Sequence, residues 1–112
     1  MAESHLVSGQ VVSVAPLGER LSQSRTTALL KAAQLEVVRV VLPAGKSMRE
    51  HAVPGEITLQ CLEGEVEFST PAGRLVLSTG DFLPLAGGVP HGLLARTDAS
   101  LLLTICLAAP TR

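Results

Sequence analysis

The stretch Gly45-Lys46-Ser47-Met48-Arg49-Glu50-His51-Ala52-Val53-Pro54-Gly55-Glu56-Ile57-Thr58-Leu59-Gln60-Cys61-Leu62-Glu63-Gly64 decides how the rest of the chain is read. Its second half alternates. Ile57, Leu59 and Cys61 fall on one face, and Thr58 and Gln60 on the other. Period two is the mark of a strand with one buried face. Pro54-Gly55 and Glu63-Gly64-Glu65 bound the run as turns.

The same punctuation continues outward. Turn signals recur at Pro43-Ala44-Gly45, Pro71-Ala72-Gly73, Gly80-Asp81 and Gly87-Gly88-Val89-Pro90, with short apolar runs between them. Val66 and Phe68 oppose Glu67 and Ser69, and Leu75 and Leu77 oppose Arg74 and Ser78. Short strands at this spacing indicate an all-β sandwich or barrel. Residues 35–42 are apolar on both faces apart from Glu36 and Arg39, so that strand needs cover on two sides, from a second sheet or a partner subunit. Residues 28–35 are strong helix formers. Their all-β surroundings favour two strands joined by a turn near Ala32 to Gln34, with a short helix as the competing reading.

Composition narrows the function classes. The chain has 112 residues and 46% hydrophobic residues, enough for one packed core. The net charge of -1 has no basic cluster behind it. The only aromatics are Phe68 and Phe82. These features exclude a nucleic-acid surface and its stacking platforms, and a polybasic membrane surface. No signal peptide is read at the N-terminus, and residues 101–109 are about half a membrane span; the expected location is cytoplasmic. Cys61 and Cys106 lie in apolar runs without CxxC spacing and read as buried thiols.

Two blocks resemble the paired motifs of the cupin superfamily. Gly45, His51, Val53, Ile57 and Gly64 fall at the spacing of the first motif, a Gly, five residues, His-x-His, three or four residues, Glu, six residues, Gly. Gly80, Ala86, Gly88, His91 and Ala95 follow the second, a Gly, five residues, Pro-x-Gly, two residues, His, three residues, Asn. The resemblance runs from Pro43 to Leu107. It implies a cupin-type antiparallel β-barrel, a double-stranded β-helix or jelly roll, filling residues 1–112 as a single domain. Residues 1–30 would form an N-terminal arm and strands, and residues 43–107 the barrel motif region.

In cupins the two His and the Glu of the first motif and the His of the second hold a divalent metal. In this chain His51 and His91 match, whereas Val53 stands in the second His slot and Ile57 in the Glu slot. Glu56 is one residue from that slot, which on a strand turns it to the opposite face. Two imidazoles flanked by branched aliphatics make a poor site for a divalent ion. Weak occupancy by Zn, Ni, Mn or Fe at His51 and His91 is the metal expectation. Three roles stay open for the two histidines: hydrogen-bonded barrel residues, metal ligands, or polar contacts to an organic ligand.

The functional expectation is a small-molecule-binding module. Its pocket would be apolar on Val53, Ile57, Leu59 and Leu93, with His51 and His91 as polar groups and no catalytic residue assigned. The alternative is a metal-dependent enzyme of the oxygenase or isomerase type using His51 and His91. A third reading is a protein without a ligand, acting through its dimer surface or a partner. A homodimer is expected. The valines of residues 37–41 suggest it, as does the Val11, Val12 and Val14 run, which could add a strand to a neighbouring sheet.

Overall fold

The computed structural model describes residues 5–107. After a short 3-10 helix, Gly18–Gln23, come nine strands: β1 Thr27–Lys31, β2 Leu35–Leu42, β3 Ser47–His51, β4 Ile57–Glu63, β5 Glu65–Thr70, β6 Gly73–Ser78, β7 Phe82–Leu85, β8 His91–Ala95 and β9 Ala99–Cys106. They form two antiparallel sheets, β1-β2-β9-β4-β7 and β3-β8-β5-β6. This is the all-β cupin jelly roll. The helix-forming segment is two strands, β1 and β2, because β2 pairs along its whole length with β9. Ladder bonds and burial override a propensity of a few tenths of a kcal/mol per residue. Ala32 N–H donates to Leu35 O at 2.8 Å and closes the turn between them.

The alternation places the core between the sheets. Ile57, Leu59 and Cys61 are all buried, opposite Ile105, Leu103 and Leu101 of β9. Val66 and Phe68 of the second sheet pack in one cluster with Leu59 and Cys61. Leu77 is buried as the pattern requires, but Leu75 is 58% exposed. It lies on β6, the edge strand of its sheet.

Strand β2 is covered on both sides. Val38, Val40 and Leu42 face the core. On the opposite face Arg39 and Val41 are buried beneath residues that precede β1. That cover comes from the same chain. Arg39 Nη2 donates to Ala15 O at 2.6 Å, and Leu21 of the helix is 2% exposed. Glu63, at the end of β4, accepts N–H bonds from Leu17 at 2.8 Å and Gly18 at 3.0 Å and so caps the helix from another element. Ser100 Oγ also donates to Glu63, and Arg39 Nη2 lies 3.6 Å from its Oε2. No strand forms before Thr27 among the described residues, and Val11 is 95% exposed.

Gly64 shows how tightly β4 turns into β5. Its φ is +86°, and a Cβ there would lie 2.2 Å from Asp98 O. No other residue type fits without moving backbone.

Candidate functional site

The site grows from the β3–β8 ladder. Met48 pairs with Leu93, and His51 with His91. Between these pairs β3 spends one residue more than β8, a bulge over Arg49 and Glu50. Cross-strand partners share a face. The bulge therefore leaves Met48 and His51 on the same side, although three residues separate them. Both line one cleft with His91 and Leu93.

The two imidazoles sit with ring centroids 4.6 Å apart and planes tilted by 50°. Phe68 stacks beneath His91 at 5.9 Å. His91 is 5% exposed, whereas His51 is open to solvent. Each ring is fixed in the same way. Nδ1 of His51 is 3.1 Å from Arg49 O, and Nδ1 of His91 is 3.0 Å from Val89 O. A carbonyl oxygen only accepts, so Nδ1 must carry the proton in both rings. Neutral imidazoles held this way present Nε2 as a hydrogen-bond acceptor or a metal ligand.

Ile57, Leu59 and Leu103 supply the apolar wall. The free space among these side chains is only about 10 Å³, close to the room one water needs. The expected pocket residues His51, Ile57, Leu59, His91 and Leu93 thus come together. Val53 does not line the cleft. Strand β3 ends at His51, so the rule that residues i and i+2 of a strand share a face does not extend to Val53, two residues further on. Met48 is an addition that the spacing of the histidines does not suggest, because its inward direction depends on the bulge.

The rim of the cleft is tied backbone to backbone. Gly88 N–H donates to Val53 O at 2.8 Å, and Cys106 N–H donates to Glu56 O at 2.9 Å. A Cβ on Gly87 would lie 2.2 Å from Pro54 O. The loop between β3 and β4 is therefore held between the β7–β8 loop and the end of β9.

A divalent metal of the cupin kind does not fit these residues. Ile57, in the position of the carboxylate ligand, is 3% exposed and faces the apolar wall. Among the described residues no group of three or more His, Cys, Asp or Glu side chains could hold an ion. Two imidazoles fall below the three or four protein ligands that zinc sites use.

Comparison with known proteins agrees with the geometry. No protein-family model matches the chain, and no curated protein matches it. Solved structures do. A cupin superfamily protein from Desulfitobacterium hafniense superposes with a TM-score of 0.74 at 16% identity, covering 88% of this chain and 95% of that one. An RmlC-like cupin from Desulfovibrio desulfuricans gives 0.68 at 25% identity over 95% and 97%. A conserved protein of unknown function from Streptococcus pyogenes gives 0.73 at 19% identity over 98% and 100%. The likeness is one of fold: the chain has the jelly-roll architecture of these cupin structures. Among the described residues no helix is long and apolar enough to cross a membrane.

Proposed function

We propose that this cupin-fold protein is a binding module for a small molecule that presents a hydrogen-bond donor on an apolar body, such as a phenol or an alcohol. One observation carries the reading. Both imidazoles have Nδ1 tied to a carbonyl, so in the neutral form both offer Nε2 as an acceptor at an apolar cleft. A ligand that brings its own acceptor to that cleft leaves the buried acceptor of His91 unpaired, at a cost of about 1–3 kcal/mol. The free space admits a hydroxyl-sized group and no more. The ligand body then rests outside, over the exposed His51.

The metal-dependent alternative, an oxygenase or isomerase working through His51 and His91, is the weaker reading. Ile57 fills the carboxylate position and Val53 lies off the strand.

The test is a histidine-detected NMR titration with phenol and with anisole, its methyl ether. Phenol is expected to shift the ring resonances of His51 and His91 saturably, and anisole to leave them in place. Equal response to both would remove the donor requirement. Stoichiometric perturbation of the same rings by Ni or Zn after chelator dialysis would move the metal reading ahead.

The homodimer belongs with this proposal. Val11 and Phe82 are 95% and 60% exposed, and Leu102 is half-buried on the outer face of the five-stranded sheet. A second copy laid on that face would cover apolar surface. Light scattering giving the mass of one 11.7 kDa chain at micromolar concentration would reject it.

A further inference from the structure

A second cavity lies outside the barrel, between the N-terminal arm and the outer face of β1 and β2. It is an open groove of about 400 Å³, within the volume range of small-molecule sites. One part of its wall is apolar, from Leu17, Leu29 and Val41. Arg25 and Arg39 also line it.

The two guanidiniums differ in how they are held. Arg39 is anchored through Nη2, which donates to Ala15 O at 2.6 Å and to Ser100 Oγ at 3.3 Å and lies 3.6 Å from Glu63. Its Nε–H is buried and has no acceptor. A buried donor without a partner is costly, and native structures contain few of them. Arg25 is exposed, and no described carboxylate pairs with it. Glu63 compensates the charge of Arg39, so the cavity keeps about one uncompensated positive charge, at Arg25. The fork of Arg25 and the unpaired Nε–H of Arg39, beside an aliphatic wall, match a planar carboxylate carried on a short hydrocarbon.

We propose that this cavity binds a small monocarboxylate with a short apolar body. The carboxylate lies at Arg25 and Arg39, and the hydrocarbon packs on Leu17, Leu29 and Val41. This site is separate from the histidine cleft and has the opposite preference, for an anion instead of a neutral donor.

The experiment uses the full chain and hexanoate as the probe, followed by backbone-amide NMR. Hexanoate is expected to give saturable shifts at Ser24, Thr27, Leu29 and Val41. Hexanol, which lacks the charge, and inorganic phosphate, which lacks the hydrocarbon, are expected to bind at least tenfold more weakly. Arg25 is the residue to change, because Arg39 also anchors the arm. Arg25→Ala is expected to lower hexanoate affinity roughly tenfold or more, the value of a charge-assisted hydrogen bond. Arg25→Lys, which keeps the charge but loses the fork, is expected to fall between. His51→Ala is expected to bind hexanoate as the parent does. Hexanol or phosphate matching hexanoate would overturn the proposal. So would an Arg25→Ala protein that binds normally, or shifts confined to β3 and β8.

Discussion

His51 and His91 are direct cross-strand partners, yet one ring is open to solvent and the other is 5% exposed. The pair therefore connects the surface to the barrel interior through two neighbouring imidazoles. Any donor set completed at this place must use positions that face the same cleft. That requirement separates Ile57, which lines it, from Val53, which does not.

Ile57→Glu alone is thus expected to create a divalent-metal site with His51 and His91. In the absence of metal the variant should be destabilised by several kcal/mol, because a carboxylate replaces a fully buried side chain. Nickel should restore much of that loss, since an ion that binds only the folded state stabilises it. Thermal unfolding with and without NiCl2 measures both effects. An Ile57→Glu, His91→Ala control should show no nickel response. Adding Val53→His to Ile57→Glu should gain little.

Glu63 should make stability depend on acid. Burial pushes its carboxyl up, but the N–H of Leu17, the hydroxyl of Ser100, the N–H of Gly18 and the charge of Arg39 together outweigh burial and hold it below the ordinary range. A folded-state value below the unfolded one contributes stability that is present above the unfolded pKa, about 4.3, and is lost as pH falls through the folded value. Glu63→Gln should cost about 1–3 kcal/mol at neutral pH. The gap from the parent should narrow as pH falls below the unfolded value and through the lowered folded-state one. Urea unfolding at pH 7, 5 and 3 gives the comparison. A gap that is constant with pH would refute the assignment.

The arm should be part of the folded unit. Leu21→Ala removes a side chain that is 2% exposed from the cover over β2, and the expected loss is about 2–5 kcal/mol. Equilibrium denaturation reads it directly. A change below about 0.5 kcal/mol would mean that the arm rests loosely on the sheet.

Cys61 should be inert to thiol reagents in the native protein. Burial pushes its thiol up, the hydrogen bond to Glu63 O pulls it down, and the charges of Asp81 and Glu63 push it up again. The net direction is upward, and the side chain is 1% exposed. Both factors deplete the accessible thiolate. Iodoacetamide labelling at pH 8 with peptide mapping should find Cys61 unmodified until denaturant is added.

Much of the barrel was legible because its signals are local. Gly45, Gly64, Gly80 and Gly88 all have positive φ where turns were read, and the Ile57, Leu59, Cys61 alternation sets the inward face of β4. What escaped depends on contacts between distant segments. The end of β3 at His51 and the bulge before it are tertiary features, which is why the motif spacing points to Val53 and not to Met48. The 3-10 helix has no periodicity to reveal it at six residues. The Glu63, Ser100 and Arg39 cluster joins residues up to 61 positions apart. One clue to it did exist in the chain: Arg39 is a lone cation in an apolar strand, which implies a partner beyond its neighbours.

The backbone bonds that fix the rim of the histidine cleft bear on kinetics. With the β3–β4 loop tied on both sides, ligand entry is expected without opening of that loop. Entry needs at most the exchange of one solvent-exposed hydrogen bond, from His51 Nδ1 to Arg49 O, and exposed side chains change rotamer in picoseconds to nanoseconds once such a bond is released. Such a doorway imposes no slow step on entry or departure. Residence time at this cleft is then set by contact energy alone, and titrated resonances should move continuously, in fast exchange, instead of splitting into two populations.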